Sequence, residues 1–491
     1  MSEITSKIAT ASKWSILTEV FSKIMLPISS MILARLLTPE AFGVVATTSI
    51  VISLSDLLMG SGFQKYLIQH KFESTTEKYQ IANVAFFTNV VIGTIIWLIV
   101  IGFNKSIAQL IGGEGYEWAI IVAALAIPLD SLSSIHIALF NRDLNFKSIF
   151  KIQVVKGVIP LLIIVPLAII FRNYWALIIG NIINAIARFI IASCLSTLKI
   201  QLHFSFKQLK QMLNYSVWMI LDSILIWIVN HIDILIISRM FSQYHLGLYK
   251  KSIALTTSIM VVISSTVIPL IFPTFSQLQN DLGRLRSTML TLQKYLSLII
   301  IPVGMCLFLY SDIITIILFG DQWIAAAPII KLWGITQTFY LLINRFCSAV
   351  YPAIGKPQIS VTNQLLYAVV LIPTVIFSTQ YGFETLYTNR ILIRFWMIAI
   401  NLVWVYIVIK QSTVKIFLNI LPELLGGLMM TATTKLFLTF SQNIIWQVVT
   451  MILSVVCFFL FVAMFKAERE AMMAIYSKAV KRLSNRKRGA L

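Results

Sequence analysis

Apolar residues run along this chain in long blocks, and polar residues collect between them. A helix needs about 20 largely apolar residues to cross a bilayer. That criterion predicts fourteen spans, near 14–36, 42–64, 81–103, 118–140, 150–171, 174–196, 215–239, 248–275, 294–318, 327–351, 359–378, 386–409, 417–438 and 444–465. The first block is long and holds Glu19 and Lys23, so it reads as an uncleaved spanning helix rather than a cleaved leader. The thirteenth is the most polar, with Pro422, Glu423 and Lys435.

Two stretches repeat. Positions 32–43 read ILARLLTPEAFG and positions 236–247 read IISRMFSQYHLG. Arg35 aligns with Arg239, Gly43 with Gly247 and Trp14 with Trp218, all at one offset without a gap. This predicts two homologous six-helix lobes, 1–205 and 206–416, followed by an added helix pair (417–465) and a basic tail (466–491). Six is even, so both lobes start on the same side of the membrane. They are then parallel repeats about an axis along the membrane normal. The predicted fold class is thus an all-α integral membrane protein.

Charge sets the expected orientation. Lys and Arg fill the segments 65–80, 141–156, 197–214 and 276–294 and the tail, whereas the alternate loops hold little beyond Lys105 and Arg172. The positive-inside rule then puts both termini in the cytoplasm, with the tail against anionic lipid headgroups.

Composition agrees with a membrane location. The chain of 491 residues is 58% hydrophobic and 12% charged, about half the charged share of soluble proteins. Its net charge of +20 sits between apolar blocks, which favours lipid over nucleic acid as the partner. Cys194, Cys306, Cys347 and Cys457 lack metal-ligand spacing, and no metal or other cofactor is expected. No phosphate loop is present for ATP-driven transport. A nucleophile–base pair is also missing, which weighs against a polytopic glycan-pathway enzyme.

Six short stretches carry a resemblance: ASKWS at 11–15, LARLLTPEAFG at 33–43, FNRDLNF at 140–146, IFPTFSQLQND at 271–281, LFGDQWIAAAPII at 318–330 and AIGKP at 353–357. In this order they resemble the polysaccharide-exporter branch of the multidrug/oligosaccharidyl-lipid/polysaccharide flippase superfamily. The chain looks like the colanic acid and teichuronic acid exporters, relatives of O-antigen unit flippases. The sequence GFQKYLIQ at 62–69 departs from them in Lys65. The resemblance implies a twelve-helix core and a lipid-diphosphate-linked oligosaccharide as substrate, flipped to the outer face of a bacterial inner membrane. It implies a polysaccharide polymerase and a chain-length regulator as partners. A peptidoglycan-precursor flippase or a drug/cation antiporter would share the architecture.

Ionisable groups inside a bilayer are costly and mark pathways. Lys23, Arg188, Arg345 and Arg394 are the candidates for the anionic diphosphate, since Arg matches phosphate with a planar fork and Lys acts as a point charge. Glu19, Asp56, Asp130, Asp222 and Asp233 are candidates to carry a coupling proton or sodium ion. Pairing within the membrane, as in Glu19 with Lys23 at i,i+4, is the alternative use of the same residues. Pro27 is expected to kink the first helix. Arg35, Gly43, Arg239 and Gly247 are read as interfacial anchors, turn residues or an outer gate.

Overall fold

The apolar blocks fold as helices, because backbone groups in hydrocarbon must find their partners within the segment. A computed structural model describes residues 2–59, 63–70, 72–198, 200–201, 204–265, 267–474 and 477. No strand occurs among them. In chain order the long helices are α1 (Ser2–Leu36), α2 (Pro39–Met59), α3 (Thr75–Gly102), α4 (Glu117–Arg142), α5 (Phe146–Phe171), α6 (Tyr174–Leu195) and α7 (Phe206–Met240). They continue with α8 (Gln243–Ser264), α9 (Leu282–Leu309), α10 (Asp321–Ala353), α11 (Gln358–Tyr381), α12 (Phe383–Ile409), α13 (Leu421–Leu438) and α14 (Ile444–Val462).

Among the described residues, twelve helices are long and apolar enough to cross a membrane. The remaining two of the fourteen are α7 and α13. The outward faces of the long helices are apolar: Ile445 is 79% and Leu428 65% exposed, whereas Asn89, Gln293 and Asn401 are fully buried. A water-soluble protein distributes these types the other way.

Several boundaries differ from the sequence expectation, two of them instructively. The segment 248–275 is broken: α8 stops at Ser264 and a separate helix runs Ile268–Gln277. Pro269 opens that helix because it lacks the N–H that an interior position must donate. Helix α9 begins at Leu282 rather than 294, where Asp281 accepts a hydrogen bond from the Arg284 N–H at 2.9 Å. Its first three turns are polar, so a hydropathy criterion passes over them. Helix α1 runs unbroken through Pro27, which leaves the Lys23 carbonyl without its intrahelical donor.

Helix lengths repeat with the sequence. Helices α1 and α7 both have 35 residues, and α3 and α9 both have 28. The starts of α1 and α7, and of α2 and α8, share the offset at which the two motifs align.

The chain forms two compact units. The first is Met1–Lys250 together with Leu318–Gln322. In it α1 packs on α5, with Trp14 and Phe150 at 5.3 Å. The first turns of α3 join α4 in an apolar cluster around Ala82, Phe86, Ile135 and Leu139. The segment Leu318–Gln322 belongs to this unit because Gln322 Nε2 donates to the carbonyls of Ala34 (2.9 Å) and Leu37 (3.2 Å). It thereby occupies acceptors that the end of α1 leaves open.

The second unit is Lys251–Ile317 with Trp323–Leu491. Here α9 packs on α10 and α13, and α13 pairs with α14. Buried Asn401 links Asn344 (2.7 Å) and Asn363 (3.0 Å), and Tyr351 donates to its side chain at 3.0 Å.

Candidate functional site

In the first unit, polar side chains of α2, α4 and α6 point into one cavity of about 210 Å³. Asp56 lines it from α2, Asp130 with Ser131, Ser133 and Ser134 from α4, and Arg188 from α6. Spacing explains the α4 face: 130, 133, 134 and 137 recur at helical period. The α4 helix is interrupted at Leu125, and its next segment begins at Ala126, two residues ahead of Pro128; a proline that close weakens the preceding turn.

Arg188 forms an ion pair with Asp130, and both side chains are about one-fifth exposed. Arg188 Nε is buried and makes no hydrogen bond among the described residues, so the guanidinium keeps one donor in reserve. Lys156 on α5 lies within electrostatic reach of Asp130, Asp56 and Arg188. Two carboxylates and one cation therefore line one polar pocket, with the second cation, Lys156, close enough to act on them electrostatically. An ion-paired guanidinium in a low-dielectric site can still bind an anion through its unused N–H.

The other predicted residues fall elsewhere. Lys23 pairs with Glu19 along α1 at 2.8 Å. Asp233 on α7 is buried and accepts the Tyr249 hydroxyl at 2.7 Å. The side chain of Asp222 lies outside the described residues. In the second unit, Arg345 is exposed immediately after a π turn, Tyr340–Asn344, and has no partner among the described residues. Arg394 is buried, stacked between Trp333 (4.4 Å) and Tyr340 (4.5 Å), and donates to Gln337 Oε1. Its neighbour Arg390 donates to the Tyr367 hydroxyl at 2.9 Å. Arg35 and Arg239 are exposed at the ends of α1 and α7. Gly43 and Gly247 are buried where α2 and α8 cross.

Sequence reasoning missed Lys156, because it closed a run of basic residues assigned to a loop. It also missed the buried carboxylates Glu423 and Glu468 of the second unit. Among the described residues, no group of three or more His, Cys, Asp and Glu could hold a metal ion.

A family model described as "Polysaccharide biosynthesis protein" matches residues 32–328. An uncharacterized membrane protein in the cps region of Klebsiella pneumoniae is 24% identical over 75% of this chain and 76% of its own length. The succinoglycan biosynthesis transport protein ExoT of Rhizobium meliloti is 24% identical over 66% of this chain and 65% of its own. Among solved structures, the lipid II flippase MurJ in an inward closed conformation superposes with a TM-score of 0.75 at 16% identity, covering 93% of this chain and 99% of that one. That likeness shows the fold.

Proposed function

Because the chain belongs to the polysaccharide biosynthesis protein family, we propose that it flips lipid-diphosphate-linked oligosaccharide units across the bacterial inner membrane. It does so as a secondary transporter with both termini in the cytoplasm, and it is not an enzyme. The observation that carries this reading is the convergence of Asp56, Asp130 and Arg188 on one cavity within a membrane bundle, with Lys156 in electrostatic reach. Cations and the spare Arg188 donor receive the diphosphate, while serines and Gln64 supply neutral polar contacts. Within the second unit, Arg345, exposed and without a partner among the described residues, is a candidate phosphate contact in its own right.

Transport needs an energy source, and the chain has no nucleotide loop. We assign coupling to Asp56 and Asp130. A proton or sodium ion bound there competes with Arg188 for the Asp130 carboxylate, so that ion and diphosphate occupancy alternate. The crossing at Gly43 and Gly247 acts as the gate at the outer side, and alternating access requires it to part. The relative named for succinoglycan transport supports the substrate class, and a polymerase and chain-length regulator are the expected consumers of the product.

The test uses cells lacking this protein. Lipid-linked intermediate should accumulate on the cytoplasmic face, shielded from an added periplasmic glycosidase, and wild-type protein should restore cleavage. An intermediate already exposed outside, or one that never forms, would assign the protein to polymerisation or synthesis. Accumulation of a peptidoglycan precursor instead would move it to the sister branch.

A further inference from the structure

A second cavity in the first unit has about 440 Å³, roughly twice the volume of the charged one. Thr75, Thr76, Tyr79, Gln80 and Asn83 line it from one face of the first turns of α3. Thr197 and Gln201, which follow α6 in the chain, close it.

Hydrogen bonds fix its shape. The Tyr79 hydroxyl donates to Thr197 Oγ1 at 2.9 Å, and Asn83 Oδ1 accepts the Gln201 backbone N–H at 3.1 Å. Asn83 Nδ2 donates back to the Tyr79 carbonyl at 3.0 Å. These contacts pin Thr197 and Gln201 to the helix. By contrast, the side chains of Thr75, Thr76, Gln80 and Gln201 have no hydrogen-bond partner among the described residues.

The lining contains no ionised group. Two charged residues adjacent to the lining in sequence are engaged: Lys78 is held by Asp143 at 2.7 Å, and Glu77 accepts the Glu73 N–H at 2.6 Å. A phosphate finds no cation here, and every lining side chain carries a hydroxyl or a carboxamide. Hydroxyls and carboxamides both donate and accept, which matches the alternating donor and acceptor of a sugar hydroxyl. The volume falls within the range of small-ligand pockets, about 300–1,000 Å³.

Helix α3 links the two cavities. Six residues beyond Asn83, about 9 Å along the helix, Asn89 donates to Ser134 Oγ at 3.1 Å, and Ser134 lines the charged cavity. We propose that the uncharged pocket is a carbohydrate subsite, taking neutral sugar hydroxyls of the glycan whose diphosphate end enters the charged cavity. This rests on the transport reading above and adds the residues that choose the glycan: Thr76, Gln80 and Gln201.

The test uses the full chain in nanodiscs and the oligosaccharide released by mild acid from the intermediate that accumulates without the protein. Saturation-transfer NMR should show sugar-ring protons receiving magnetisation from wild-type protein. Gln80→Leu and Gln201→Leu should each weaken binding about tenfold, the effect of one lost hydrogen bond to a tightly held group. Thr76→Val, on an exposed first turn, is the variant to use if either of these fails to insert. The same leucine variants should slow glycan exposure in cells. The subsite is refuted if wild-type protein restores exposure yet gives no sugar signal, or if the variants bind and transport like wild type. Failure of the transport reading shows separately, as wild-type protein that leaves the exposure of the intermediate unchanged, and the subsite falls with it.

Discussion

Gly43 and Gly247 occupy equivalent points of a reciprocal helix crossing. A Cβ on Gly43 would lie 1.8 Å from the carbonyl oxygen of Gln243, and one on Gly247 would lie 1.8 Å from the carbonyl oxygen of Pro39. Pro39 and Gln243 are themselves the first residues of α2 and α8. Each helix thus presents its first carbonyl to the other's glycine. Gln243 adds a clasp, accepting from Thr47 Oγ1 at 2.8 Å and donating to the Gly112 carbonyl at 2.8 Å.

The obstructing atoms are backbone, which cannot swing aside as a side chain can. Gly43→Ala and Gly247→Ala must therefore separate the helices, at a cost of about 1–3 kcal/mol for overpacking. That shifts the crossing toward its parted state by about 5–150-fold. Hydrogen–deuterium exchange should accelerate over 39–50 and 243–250 in both variants, to similar extents because the contact is reciprocal. Unchanged exchange in either variant would mean that the crossing does not control opening.

A different outcome is expected for the charged cavity. Asp130→Asn leaves the Arg188 cation without its counter-ion, and Arg188→Gln does the reverse. A lone charge deep in a membrane costs about 2.5–3.5 kcal/mol. Partial exposure of both side chains to the cavity reduces this to about 1–2 kcal/mol. Each single variant should melt earlier than wild type and lose transport. The Asp130→Asn/Arg188→Gln double variant should regain thermal stability but not transport, since no lone charge remains and neither does a phosphate donor. Recovered transport in the double variant would make the pair purely structural.

The parts of this fold legible in sequence were those with a strong periodic signal. Fourteen apolar blocks became fourteen long helices, and the gapless match of 32–43 with 236–247 anticipated helices of equal length. The short motifs also have visible causes. In FNRDLNF, Arg142 Nη1 donates to the carbonyls of Leu67 (2.6 Å) and His70 (2.6 Å), and Asp143 holds Lys78. In LFGDQWIAAAPII, Gly320 takes a φ of 94° and Gln322 caps α1. Which charges meet was not legible. Asp130 and Arg188 are 58 residues apart, and only the packing of α4 against α6 brings them together. A hydropathy reading also treats Lys156 as a loop residue, because a lysine five residues after another looks the same in a loop and in a helix.

Arg345 and Arg394 were equivalent in sequence and differ in their surroundings. Arg394→Lys keeps the charge but loses the planar stack with Trp333 and Tyr340. Buried cation–π contacts contribute about 2 kcal/mol. This variant should therefore melt several degrees lower, with any protein that remains folded binding substrate normally. Arg345→Gln, on an exposed side chain, should leave the melting temperature within error and slow glycan exposure about tenfold, the loss of one charge-assisted contact. Equal effects of the two substitutions on both readouts would contradict this division.

The buried carboxylates of the second unit yield the most sharply signed expectation. Glu468, 3% exposed at its side chain, pairs with Lys294 at 2.8 Å. Glu423 is fully buried, accepts the Ser297 hydroxyl at 2.8 Å, and lies within electrostatic reach of both Lys294 and Glu468. One cation thus stands among two buried acids. Glu468→Gln leaves Lys294 beside Glu423, which can take over as counter-ion. Lys294→Met leaves two carboxylates facing each other without a cation, and that arrangement is the more costly, about 3–5 kcal/mol for a broken buried pair. Thermal unfolding should rank Lys294→Met below Glu468→Gln. Acidification, which neutralises carboxylates, should recover part of the Lys294→Met loss while doing nothing comparable for wild type. Adding Glu423→Gln to Lys294→Met should recover stability at neutral pH, because one acid no longer opposes the other. If the two single variants melt together, Lys294 does not serve both carboxylates, and the segment after α14 is held to α9 by packing alone.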